Sequence, residues 1–253
     1  MSGAERSLDR AFPGRRGVLS ALGGVLLAGA LTGCKGQGAA AAAPTALPDR
    51  KDSEALTWKE ARKILEEGNA RFLEGKVGHP DQGMVRRKQL GSDGQAPFAC
   101  VLACADSRVP PELVFDQGLG DLFVVRSAGQ VVDRAVLGTL QFGVTEFRTP
   151  LLVVLGHTRC GAVKATVEAL AKHARPSGTD VDALLTAIAP AVHEAEELGA
   201  KGDDLLTVAV DNNVDRVVGQ LNAAKVIAVA VKSRKLKILG ATYDLETGEV
   251  TFA

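Results

Sequence analysis

Three residues of this chain could jointly hold a soft metal ion: Cys104, His157 and Cys160. His157 and Cys160 form a His-x-x-Cys turn, and Cys104 lies more than fifty positions earlier. Two thiolates and an imidazole suit zinc, and three protein ligands leave the fourth tetrahedral position open for chemistry. A His and a Cys at this spacing also arise by chance as core or surface residues, so the neighbours matter. Asp106 and Arg108 follow Cys104 within four positions. A guanidinium can grip a carboxylate with two parallel hydrogen bonds and fix its direction. The alternative is a solvated surface pair that contributes little.

Such a site needs elements that bring these segments together. Residues 97–103 form a continuous apolar run, as do 122–125 and 151–155, each short enough for a strand buried on both faces. Cys104 closes the first run and His157 follows the third, so both candidates fall at carboxyl strand ends, where open parallel sheets collect ligand chemistry. Residues 57–74 have helical spacing with Thr57 as N-cap, and 133–146, 162–173, 181–199 and 204–222 read as further helices. The helical region is expected to continue through 223–232. Residues 237–244 and 249–252 flank Glu246-Thr247-Gly248 as a terminal hairpin. Residues 75–95 are Gly-rich and polar and are read as a long loop with a basic turn at Arg86 to Lys88. The expected fold class is α/β, a mainly parallel central β-sheet flanked by helices.

The 253 residues balance 30 Lys and Arg against 30 Asp and Glu, and only 4% are aromatic. That composition offers neither the basic footprint nor the stacking rings of a nucleic-acid binder. Residues 1–33 are read as a signal peptide, with Arg15 and Arg16 ahead of an uncharged stretch of 17 residues from Gly17. The arginine pair resembles a twin-arginine signal, an ordinary basic n-region being the alternative. Leu31-Thr32-Gly33-Cys34 resembles a bacterial lipobox, making Cys34 the lipidation candidate. Residues 34–56, rich in Ala and Gly, then read as a tether, and 57–253 as the catalytic domain. The expectation is an exported lipoprotein, periplasmic or at the cell surface, meeting the membrane only through its lipid.

Cys104-Ala105-Asp106-Ser107-Arg108 and Gly156-His157-Thr158-Arg159-Cys160-Gly161-Ala162 closely resemble the two signatures of the beta-class carbonic anhydrases. Asn69-Ala70-Arg71-Phe72, Asp116-Gln117-Gly118 and residues 121–126 resemble further family segments, and the likeness runs through roughly 57–253. It implies reversible hydration of carbon dioxide to bicarbonate, with one zinc per subunit on Cys104, His157 and Cys160 and Asp106-Arg108 as the catalytic dyad. Asp106 would instead become a fourth ligand in a closed form of the site. The family also implies Gln95 and Phe123 as substrate-pocket residues, the former weighed against a polar loop residue and the latter against core packing. It implies a homodimer or higher homo-oligomer whose pocket residues cross the interface, with the 57–74 helix a candidate to reach the partner. Gln130 and Ala128 depart from the Asn and Val of many members, which bears on the shape of the pocket. Cys100 is read as buried packing, and His79, His173 and His193 as surface residues. Two rival readings remain: a carbonyl sulfide or carbon disulfide hydrolase on the same fold, and a zinc-binding lipoprotein without catalysis.

Overall fold

A computed structural model describes residues 56–253; the signal peptide, Cys34 and nearly all of the tether lie outside the described residues. Among the described residues, five strands form one sheet in the order β2-β1-β3-β4-β5: β1 Ala99–Cys104, β2 Leu122–Ser127, β3 Leu151–His157, β4 Lys237–Tyr243 and β5 Val250–Phe252. The first four are parallel, and β5 returns antiparallel to β4 as the terminal hairpin. The expected α/β class is thereby found.

The continuous apolar runs are explained by burial on both faces. Every residue of β1 and β3 is buried. Their alternate side chains feed two cores, as the period of two demands. Ala99, Val101 and Ala103 join Leu151, Val153 and Leu155 beneath Ala61 and Leu65 of helix α1 (Trp58–Leu73). Cys100, Leu102, Leu152 and Val154 face the other way, against α4 (Arg134–Glu146), α7 (Asp203–Ala223) and α8 (Lys225–Lys232). A third cluster holds Cys104 and Cys160 among α5 (Gly161–Ala171), α6 (Val181–Glu197) and α7.

Thr57 caps α1 as expected, in a reciprocal box with Glu60. One expectation is corrected. Residues 75–95 are not all loop, since α2 spans Met84–Asp93. That helix buries no residue, so it carries no apolar stripe for periodicity to detect; good helix formers and a bond from Arg86 Nε to the Leu119 carbonyl (3.2 Å) hold it instead. Helix α1 packs on its own chain's sheet, with Ala61 and Leu65 fully buried there. Residues 223–232 are helical as read, but extended backbone at Ala224 (ψ 120°) separates α7 from α8.

The short α3 (Pro111–Val114) follows β1. Asn69 locks α1 to this segment and to the hairpin. Its Nδ2 donates to the carbonyls of Val114 (3.1 Å) and Gly248 (2.9 Å), and its Oδ1 accepts from the Val250 amide (2.9 Å). The neighbouring Arg71 pairs with buried Asp116 at 2.6 Å, and the Gly78 and His79 amides complete that carboxylate's shell at 2.9 and 3.0 Å.

Candidate metal centre

The chain leaves β1 outward to β2, then crosses back to β3 on the other side of β1. That reversal opens a crevice beyond the carboxyl ends of β1 and β3. The register sets Ala103 beside Leu155, so the two strands end together and carry Cys104 and His157 to the crevice. The Thr158-Arg159 turn, with Arg159 at φ 55°, then swings Cys160 into the N-cap position of α5.

The two sulfurs are 4.0 Å apart, and the ligand atoms of Cys104, His157 and Cys160 all lie within 4.8 Å of one another. Two thiolates on one tetrahedral zinc, each at about 2.3 Å, would sit roughly 3.8 Å apart. The ring of His157 is fully buried, and its Nδ1 faces the Thr158 carbonyl at 2.9 Å. That contact fixes the tautomer with the proton on Nδ1 and leaves Nε2 a bare acceptor. Nε2 is buried and has no hydrogen-bond partner. A buried polar atom without a partner is costly unless something not yet bound satisfies it, and a cation between the sulfurs would do so.

The electrostatics point the same way. The hydrogen bond with Cys160 draws Cys104 far below an ordinary thiol, against the effect of burial, with His157 and the Asp106 and Gly129 amides assisting. Cys160 is pushed up by its bond with Cys104, by burial and by the neighbouring thiolate, although the Ala162 and Val163 amides at the start of α5 favour its charged form. A cation between the two sulfurs would displace that second proton.

Asp106 and Arg108 form the expected pair. Arg108 Nε and Nη2 donate to the two carboxylate oxygens at 2.9 and 2.7 Å, and the Arg108 amide adds a third bond at 3.0 Å. The guanidinium holds the Asp106 carboxyl far below the usual carboxylate range. Its Oδ2 lies 3.9 Å from His157 Nε2, so the carboxylate faces the crevice while both oxygens stay bonded to Arg108.

Three supporting residues were not singled out by role. Arg126, at the end of β2, donates to the carbonyls of Cys104 (3.0 Å) and Asp106 (2.6 Å) and so clamps the loop that carries the dyad. The Gly129 amide donates to Cys104 Sγ at 3.3 Å, and the Gly129 carbonyl accepts from Asn213 Nδ2 at 2.9 Å. Gly129 has φ 63°, and a Cβ there would meet Ile188 Cδ1 at 2.8 Å, so glycine is required. Asn213 had a legible signal: it is a polar residue on the buried stripe of α7, between Val210 and Val214.

Gln95 and Phe123 are not brought to this crevice. Gln95 is exposed and lies before the start of β1, beyond the far end of a strand whose six residues span about 17 Å. Phe123 pairs in register with Cys100 near that same end and packs with Phe142 and Phe147. Departing residue Gln130 is buried behind the crevice at φ 45°. Cys100 is packing as read: fully buried, 3.2 Å from Thr149 Oγ1, and pushed up to about 11 by desolvation. His79, His173 and His193 are exposed.

Comparison with known proteins agrees with this geometry. The family model described as carbonic anhydrase matches residues 99–250. A carbonic anhydrase of Mycolicibacterium smegmatis is 44% identical over 75% of this chain and 90% of its own length. Carbonic anhydrase 2 of Mycobacterium tuberculosis is 42% identical over 74% of this chain and 89% of its own. Among solved structures, the beta-carbonic anhydrase CcaA superposes with a TM-score of 0.59 at 26% identity, covering 76% of this chain and 94% of that one. A tetrameric beta-carbonic anhydrase from the ascomycete Sordaria macrospora shares the fold, with a TM-score of 0.60 over 77% of this chain and 96% of that one. With its parallel sheet and Cys-His-Cys crevice, the chain belongs to the beta-carbonic anhydrase family.

Proposed function

We propose that the chain catalyses the reversible hydration of carbon dioxide to bicarbonate and a proton, with one zinc ion held by Cys104, His157 and Cys160. The observation that carries this reading is the unsatisfied, buried Nε2 of His157 facing two sulfurs 4.0 Å apart, beside a carboxylate forked by an arginine. Zinc bound there supplies a nucleophile from water at neutral pH.

The chain's own residues do the rest. The Thr158 carbonyl and the Gly129 amide hold His157 and Cys104 in ligating orientation. Asp106 is an acceptor only, because Arg108 keeps it charged and oriented. It accepts a hydrogen bond from the attacking group and so aims a lone pair at the substrate carbon. Arg108 also restrains Asp106 from taking the fourth metal position, which favours the open form of the site over the closed one. Arg126 fixes the loop under both dyad residues. A purely metal-storing lipoprotein would have no use for this dyad, and nothing in the crevice favours a sulfur-containing substrate.

Gln95 and Phe123 serve the pocket only if a second copy of the chain supplies them, so we place them in the partner's site within a homodimer or larger assembly. We also retain the exported lipoprotein reading, with Cys34 as the acylated residue. The test of the central reading is stopped-flow hydration of carbon dioxide by the zinc-loaded chain beside Asp106→Ala and Arg108→Ala. Each variant should keep its zinc and lose about 10²- to 10⁴-fold in kcat. Rates equal to the wild type would remove the dyad from the reaction.

A further inference from the structure

The opposite end of the sheet carries a second surface that carbon dioxide hydration does not use. The segment from Lys225 to Lys237 holds five cations (Lys225, Lys232, Arg234, Lys235 and Lys237) and no carboxylate, in a chain whose formal charge is zero. All five are exposed. Lys225, Lys232, Val226 and Val229 fall on one side of α8 at 100° per residue, and both valines are exposed, Val229 by 67%. The helix thus presents an apolar strip bordered by lysines, the composition of a surface that lies on a bilayer.

Trp58 stands beside this strip. A groove of about 630 Å³ is lined by Leu56, Trp58, Lys59, Arg148, Arg234 and Lys235 among others, and an adjoining groove of about 460 Å³ shares Arg148 and Lys235 and runs to Val226 and Val229. The Lys59 and Lys237 ammonium groups lie 5.6 and 5.9 Å from the centre of the indole ring. The acidic residue of this helix start, Glu60, is engaged by the Thr57 amide and hydroxyl, both at 2.7 Å. An indole ringed by cations, with aliphatic side chains exposed nearby, is suited to the headgroup layer of a membrane.

We propose that this amino-end face, centred on Trp58, docks on an anionic phospholipid bilayer. Charge complementarity is one reason. The other is chain continuity: Leu56, the first described residue, lines the groove, so the described fold begins at its rim. About 20 residues separate Cys34 from Leu56, at most roughly 75 Å of chain, so an acyl group on Cys34 would hold this face within reach of the lipid. Among the described residues no helix is long and apolar enough to cross a membrane, so contact would be at the surface. Docked in this way, the Cys104-His157 crevice at the carboxyl ends of the strands faces away from the bilayer, free to exchange bicarbonate and protons with solution.

Trp58 is the only tryptophan of the chain, which makes it a specific reporter. The test uses the zinc-loaded full chain carrying Cys34→Ser, so that no acylation contributes. It is mixed with vesicles of brominated phosphatidylcholine, with or without phosphatidylglycerol. Emission should be quenched by the anionic vesicles alone, and about 0.5 M salt should abolish the effect. Arg234→Gln/Lys235→Gln/Lys237→Gln should weaken the partition about 100-fold, whereas Lys164→Gln/Lys172→Gln on the α5 side should leave it unchanged. Carbon dioxide hydration by both multiple variants should stay at the wild-type rate, showing that they fold. Equal quenching by neutral vesicles, no quenching at all, or quenching unaltered in the triple variant overturns the proposal. So does saturable binding of inorganic phosphate at Trp58 without vesicle quenching, which would make this a small-anion pocket. A natively acylated chain that reaches membranes while the Cys34→Ser protein shows no quenching would keep the anchor and remove the docking face.

Discussion

The carboxyl and amino ends of this sheet are built in opposite ways. At the carboxyl end the metal-site atoms are buried and held in place, His157 by the Thr158 carbonyl and Cys104 by the Gly129 amide, while the partly buried Asp106 is gripped by an exposed Arg108. At the amino end the charges stand in water around one half-buried indole. Burial magnifies electrostatics and makes each atom's position matter, whereas exposed charge acts by sum and tolerates rearrangement. The comparison teaches where single substitutions should be felt. One atom decides the outcome at the crevice, and only several charges together decide it on the far face.

The largest effect should follow loss of a ligand. His157→Ala or Cys160→Ser should abolish stoichiometric zinc and lower carbon dioxide hydration on the order of 10³-fold or more, read by metal analysis beside stopped flow. Full activity with metal retained would show that the buried donors are not the centre. Next comes Gly68→Ala. Gly68 lies on the stretch of α1 that packs on the segment just after α3, and a Cβ there would run into the Phe115 carbonyl, which is backbone and cannot move aside. A loss of about 3 kcal/mol is expected, read as a fall in Tm of roughly 6–12 °C. An unchanged Tm would mean that α1 is held mainly from its Trp58 end.

The smallest of the three concerns pH. Burial alone would raise the Asp116 carboxyl, but Arg71 and the Gly78 and His79 amides outweigh it and hold it below its usual value of 3.8. A carboxylate depressed in the folded state contributes stability above its unfolded pKa, and that contribution is lost as pH falls through the lower folded value. Asp116→Asn should therefore cost about 1–3 kcal/mol at neutral pH. Its denaturation curve should also lose less stability than the wild type on acidification below about pH 4. Parallel curves for the two proteins would show that the charge of Asp116 is unimportant to its bonds.

What could be read in advance divides along similar lines. The apolar runs of β1 and β3 were legible because strands buried on both faces have little choice of residue. Cys104, His157 and Cys160 were legible because donor chemistry belongs to the residue itself and strand ends mark where it collects. Helix α2 was not, since a helix that buries nothing has no apolar period. Gln95 and Phe123 show a different limit: a motif names a residue's role in a family without placing it, and the fold sets both away from this chain's crevice. Arg126 was visible within a motif, yet its bonds to the Cys104 and Asp106 carbonyls could not be read from spacing.

The order of residues by itself determined the donor set, the carboxylate-guanidinium pair and the strands that carry them, because these are properties of side chains and their immediate neighbours along the chain. Only the folded molecule decided that β1 and β3 lie side by side, leaving the His157 nitrogen bare beside two sulfurs 4.0 Å apart. It also decided that Trp58 would meet Arg234, Lys235 and Lys237, which lie far along the chain. Proximity of this kind is set by collective burial of the apolar runs, a balance over the whole core that no single stretch of sequence contains.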